Sequence, residues 1–207
     1  MTDGSPSVLD CNLIKGNEYG IYIQTSRTSN IEGNNFEENR YPIWIGGDSP
    51  VLKNNKSQNN TNLFNSIILA GTVSRDSTWY KNPLPYLIGR PRNGSQILVA
   101  MGTTLRIEPG VIVEFGDRGS MEIEGTLLAG SSEEETVVLT SYNNQAAWNK
   151  IHFYSQSINS VIKNVEINGG GYDNWFNKGE VIVENSFRLS GIPGYFLELQ
   201  ARSEICC

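Results

Sequence analysis

The chain has 207 residues, enough for one or two domains, with 38% hydrophobic and 18% charged residues. That is apolar enough to bury a core and too weakly charged for a disordered chain. The net charge of −6 disfavours nucleic acid and anionic membrane surfaces as partners, and no basic run reverses it.

The opening MTDGSPSVLD has neither the basic region nor the apolar run of a signal peptide, and no later stretch reaches the length of a membrane span. Three cysteines are too few for the disulfide framework of a small secreted domain. Cys11 reads as a small core residue in a strand. Cys206 and Cys207 read as a palmitoylation site, a thiol pair or incidental residues. The single histidine rules out a multi-histidine metal site within this chain.

The first third repeats. GIYI (20–23) and PIWI (42–45) stand 22 residues apart, and SIIL (66–69) follows 24 later. DCNL (10–13) precedes the first of them, and GNNF (33–36) and KNNK (53–56) lie between them, each an asparagine turn. Residues 73–100, rich in proline and glycine, bridge to a second repeating block. There LRI, MEI and VVL begin at residues 105, 121 and 137, a spacing of sixteen, and I-x-F, V-x-I and V-x-V continue the pattern to Val183. From Ser186 the alternation stops. YFLELQARS (195–203) reads as a short amphipathic helix capping the repeat or as an atypical tail. The division expected is terminal coils of a first block over 1–72, a connector over 73–100, a second block over 101–192 and an atypical tail or cap over 193–207.

A helix needs period 3.6 over ten or more residues, and here glycine or asparagine interrupts every four to six. An antiparallel sandwich alternates too, but it does not explain turn chemistry recurring at one phase of a twenty-odd residue unit. A solenoid does, because like residues stack on like and an asparagine can ladder with the one above it. TTLRIEPGVIVEFG, SMEIEGTLLAG, TVVLTSYNN and the stretch 148–171 resemble right-handed parallel β-helix repeat proteins of the pectate-lyase-like superfamily, over roughly residues 7–185. LPYLIG (84–89) is similar to the segment that leads into such a block. The resemblance implies an all-β, right-handed parallel β-helix with little or no α-helix. Strand pattern begins at Val8 without a cap, so the sequence reads as a fragment of a larger secreted bacterial or archaeal protein. An extracellular or cell-surface location is expected, and bare solenoid ends suggest end-to-end self-association.

Stacking would put Tyr22, Trp44 and Ile68 in one outward column at about 4.8 Å spacing. Exposed rings in such a column suit the apolar faces of sugars, so Tyr22 and Trp44 are the candidate ligand-binding residues. The bland alternative is that a loop covers them or that they stack on each other. The sixteen-residue spacing would align Arg106, Glu122 and Val138, and His152 in the middle of the following I-x-F continues that row, which could move protons but more simply is a solvated face.

No catalytic set emerges. β-Helix hydrolases use clustered aspartates, and the six aspartates here are scattered, with Asp48, Asp117 and Asp173 in glycine-bounded turns. The lyases pair a basic residue with calcium-binding carboxylates. Lys163 and Glu166 are neighbours without an acidic cluster, and GGGYDNWFNKG (169–179) offers only Asp173. Copper-binding relatives of the repeat would need methionine or histidine clusters, which three methionines and one histidine do not supply. No G-x-S-x-G or phosphate loop is present. N-x-[ST] occurs at Asn55, Asn59 and Asn93, as chance matches would in an asparagine-rich chain. No metal or other cofactor is expected, and the reading leans away from an enzyme. It favours a non-catalytic extracellular module, structural or adhesin-like, whose partner is a polysaccharide or cell-surface glycan. The alternative is a fragment of a β-helix polysaccharide lyase or glycoside hydrolase.

Overall fold

The computed structural model describes residues 8–24, 30–60, 65–89, 95–131, 135–144, 148–169, 180–183 and 205–206, the last two segments as backbone. The first coil holds β1 (Val8–Asp10), β2 (Leu13–Lys15) and β3 (Tyr19–Ile23). The second holds β4 (Asn30–Glu32), β5 (Asn35–Glu37) and β6 (Tyr41–Gly46), and the third β7 (Val51–Lys53), β8 (Lys56–Gln58) and β9 (Ile67–Val73). They stack in parallel: Leu9 on Ile31 on Leu52, Ile14 on Phe36 on Ser57, and Ile21 on Ile43 on Ile67.

The corners follow from asparagine chemistry. At each bend one residue takes the left-handed conformation: Cys11, Gly33 and Asn54 at the first corner, Gly16, Glu38 and Asn59 at the second. The asparagine that follows turns inward and bonds to the coil above. Asn12 donates from N and Nδ2 to Asn34 Oδ1 (3.0 and 2.9 Å), Asn34 does the same to Asn55 Oδ1 (3.2 and 3.1 Å), and Asn55 N donates to Asn82 Oδ1 (3.3 Å). A second column runs Asn17, Asn39 and Asn60. Asn34, Asn39 and Asn55 have no exposed surface, and the ladder satisfies polar groups whose loss of water would otherwise be costly. The buried position of Asn55 also closes its glycosylation sequon.

Above the third coil the cross-section changes. The sheet β1-β4-β7 (sheet A) and the sheet β2-β5-β8 (sheet B) end. The fourth coil holds β10 (Ser77–Trp79), β11 (Tyr86–Ile88) and β12 (Gln96–Val99). β9 serves both regions: Ile67–Leu69 pair β6 on one side and β11 on the other, while Gly71–Val73 pair β12. Trp79 and Tyr86 stack inside at 5.2 Å, both fully buried, across the corner that has lost its strand. Burial also pushes the Tyr86 phenol well above its ordinary pKa.

The later coils hold β13 (Thr104–Ile107), β14 (Ile112–Phe115) and β15 (Ser120–Ile123), then β16 (Thr126–Ala129), β17 (Val137–Ser141) and β18 (Lys150–Phe153), then β19 (Val161–Ile162), β20 (Val165–Ile167) and β21 (Glu180–Val183). β22 (Ile205–Cys206) pairs β21 antiparallel, whereas the other described strand pairs are parallel. Three sheets continue upward: β3-β6-β9-β11-β14-β17-β20 (sheet C), β9-β12-β15-β18-β21 (sheet D) and β10-β13-β16-β19 (sheet E). The result is an all-β solenoid of about six turns with one continuous core, from Ile31 and Phe36 through Trp79 to Ile162 and Val165. The described helical structure is one short turn, Tyr142–Asn144.

Two expectations are corrected. The sixteen-residue spacing is not the coil. Leu105 stacks on Leu127, Val113 on Leu139 and Met121 on Ile151, so a coil takes 22, 26 or 30 residues at these positions. Strands follow one another about every eight residues, three to a coil, and sixteen residues is two strands within one coil. Cys11 is not a core residue but an exposed one at a left-handed corner, its thiol donating to Asp10 Oδ1 at 3.0 Å. The proposed cap at 195–203 and the loop 170–179 lie outside the described residues.

Candidate functional site

The outer face of sheet C carries an aromatic cluster at its lower end. Tyr22 and Trp44 are register partners and face outward, as the column reading requires. Tyr22 is 50% exposed, while Trp44 is half-buried. Tyr19 and Tyr41 join them. Their rings stack at 5.1 Å, Tyr19 lies 5.0 Å from the Tyr22 ring, and Trp44 meets both Tyr19 and Tyr41 edge-on at 6.3 Å.

Strict alternation from Ile21 and Ile43 assigns Tyr19 and Tyr41 to the core, so sequence reasoning missed them. A break at the strand start explains the difference. A Cβ on Gly20 would lie 2.8 Å from the buried Phe36 ring and 2.6 Å from the Pro42 carbonyl, so positions 20 and 21 both face inward and the preceding tyrosine is turned out. The recurring Tyr-Gly-Ile and Tyr-Pro-Ile, 22 residues apart, are the signal that could have found it. The rim is polar: Gln24 Nε2 donates to the Tyr22 hydroxyl at 2.9 Å, and Arg40 pairs with Glu18 at 2.7 Å while lying over the Tyr41 ring.

Ile68 departs from the expectation of an exposed column. It follows Trp44 in register, yet it has no exposed surface, and neither has Leu87 on the next rung. Both belong to an outer apolar cluster with Tyr41, Trp44, Tyr19 and Tyr142, separate from the solenoid core. The column then reaches Glu114. Burial pushes the Glu114 carboxyl above the ordinary carboxylate range, opposed by a hydrogen bond from Ser66 Oγ at 3.5 Å. The folded state therefore keeps a proton on Glu114 over a pH window in which the unfolded chain has released it. Stability falls as pH rises through that window, from roughly 4.3 upward, and does not recover above it. Glu114→Gln should raise the unfolding midpoint near neutral pH and leave it unchanged at about pH 3.5. A lowered midpoint at neutral pH would contradict the assignment.

A second cluster lies on the outer face of sheet D. Glu122 and His152 are register partners. Lys150 Nζ sits 3.3 Å from Glu122 Oε1 and 3.2 Å from His152 Nδ1. His152 Nδ1 stands 3.3 Å from Glu122 Oε2, within ion-pair range but without hydrogen-bond alignment, and the imidazole packs on Tyr154 at 4.0 Å. Glu122 is 6% exposed and His152 8%, so this cluster acts first as a tie between two rungs. The expected row is otherwise dissolved. Arg106 lies on sheet E beside Thr78 and Leu128, and Val138 lies on sheet C beside Ile112 and Glu166. Among the described residues no group of three or more His, Cys, Asp or Glu could hold a metal ion, and no helix is long and apolar enough to cross a membrane.

Residues 1–89 match the family model described as periplasmic copper-binding protein (NosD), a similarity covering less than half of the chain. Comparison with curated proteins and with solved structures finds no match. The parallel register from β1 to β21 and the single core along its length identify the chain as a right-handed parallel β-helix repeat protein, its first coils similar to the NosD family.

Proposed function

We propose that the protein is a non-catalytic binding module of the cell envelope that holds carbohydrate on the aromatic end of sheet C. The observation carrying this reading is the cluster Tyr19, Tyr22, Tyr41 and Trp44, which presents a half-exposed ring beside a polar rim of Gln24, Glu18 and Arg40. Apolar sugar faces pack on such rings while hydroxyls reach the rim. The periplasmic half of the family description supports an envelope location. An adhesin-like or spacer role fits the same scaffold, because stacked rungs fix the face on a rigid rod.

The test is a panel of pectin, alginate and neutral glycans, read by retention and by intrinsic tryptophan fluorescence. Tyr22→Ala and Trp44→Ala should each weaken binding about tenfold or more, equivalent to about 1.4 kcal/mol, with the fold retained by circular dichroism. Binding unchanged in both variants would reject the site. Accumulation of unsaturated uronates or reducing ends would replace this reading with the lyase or hydrolase one.

A further inference from the structure

We infer that the coils similar to the NosD family carry its scaffold without a copper centre of their own. The inference stands apart from the carbohydrate reading and rests on donor placement. Copper(I) is held by thiolate and thioether ligands and copper(II) by imidazole and other nitrogen or oxygen donors, and among the described residues no three His, Cys, Asp or Glu side chains are grouped to hold a metal ion. A solenoid brings such ligands together from one column on successive rungs, about 4.8 Å apart, or from adjoining columns. Residues 1–89 contain no histidine, and their soft donors are Met1 and Cys11. The corner that holds Cys11 carries glycine and asparagine in the coils above: a Cβ on Gly33 would lie 3.3 Å from Cys11 Sγ, and Asn54 takes the same left-handed corner position one coil higher. The thiol itself donates to Asp10, whose hydrogen bond and charge hold it above its ordinary pKa and disfavour the thiolate.

The remaining donors do not converge either. Met101 is exposed after β12, and Met121 is buried in the core. His152 lies one rung above Met121 on the opposite side of sheet D, tied to Glu122 and Lys150. Cys206 and Cys207 are adjacent in sequence but far outside the matched segment. That segment ends at residue 89, where the asparagine columns have just closed at Asn60 and Asn82 and sheet B has stopped. What the matched residues of this chain repeat is a coil, an inward asparagine after a left-handed corner every 21 or 22 residues.

Copper(I) and copper(II) titration of the whole chain tests this, with a chromogenic chelator as competitor and the unfolding midpoint as a second readout. The double variant Cys206→Ser/Cys207→Ser should withdraw less than about a tenth of an equivalent from the chelator, and neither ion should shift its midpoint, since an ion bound only by the folded state must raise it. Any copper taken by the parent chain should be lost in that variant. One equivalent of copper retained by the double variant, with a raised midpoint, and lost on Cys11→Ser would overturn the inference. The same equivalent retained after Cys11→Ser and lost on His152→Ala would support it, since that donor lies outside the matched coils.

Discussion

Asn55→Ala should destabilise the protein by roughly 3 kcal/mol or more in urea unfolding, although it removes a side chain smaller than most of the core. Asn55 is fully buried and acts in both directions. Its Oδ1 accepts from Asn34 N and Nδ2, and its Nδ2 donates to the Ile31 carbonyl at 2.8 Å. Alanine leaves the Asn34 amide and the Ile31 carbonyl without these partners where water does not reach. Each orphaned group costs about 1–3 kcal/mol. The neighbouring residue gives the control. Asn54 is exposed and left-handed, and its side-chain Nδ2 donates to Glu32 Oε1 at 3.3 Å on the surface. Asn54→Gly should therefore change stability by no more than about 0.5 kcal/mol. Equal effects at the two positions would mean that the column does not hold the coils together.

Trp79→Ala should cost about 3–5 kcal/mol, as for other large-to-small changes in a packed core. Trp79 fills the corner where the solenoid passes from one cross-section to the other, stacked on Tyr86 with no exposed surface. The Tyr86 hydroxyl donates to the Tyr80 carbonyl and accepts from Asn82 Nδ2, so the stack is anchored to the top of an asparagine column. Trp79→Phe should cost less than half as much. It keeps a ring against Tyr86 and removes an indole N–H that is buried without a protein acceptor. Calorimetry of both variants checks the pair. A broadened or split transition in Trp79→Ala would show that the lower and upper coils had become separable units.

The fold was legible because a solenoid writes its geometry into short-range patterns. Period-two apolar residues mark each strand, and the asparagines at 12, 34 and 55 mark one corner of each of the first three coils. What was not legible is the pairing partner. Strands of this kind differ little from one another, and a self-comparison aligns any two of them, so the sixteen-residue alignment linked strands on different sheets. Arg106, Glu122 and Val138 were placed in one row for that reason, and they occupy three faces. Glu122 and His152 do meet, because their offset happens to be a true coil. The candidate binding face was half legible. Tyr22 and Trp44 point outward by alternation, but Tyr19 and Tyr41 join them where the pleat is broken at the strand start, at Gly20 and Pro42, and the burial of Ile68 depends on what packs outside the sheet.

The central claim is that each coil consists of three strands stacked in parallel on the next. Backbone proton contacts across strands, measured by nuclear magnetic resonance on isotope-labelled protein, test it most directly. Cross-strand contacts should link Leu105 with Leu127, Val113 with Leu139 and Met121 with Ile151, in the staggered pattern of parallel pairing. Contacts linking Leu105 with Met121, or the close alternate pairs of antiparallel strands, would contradict the solenoid and both of the faces described on it.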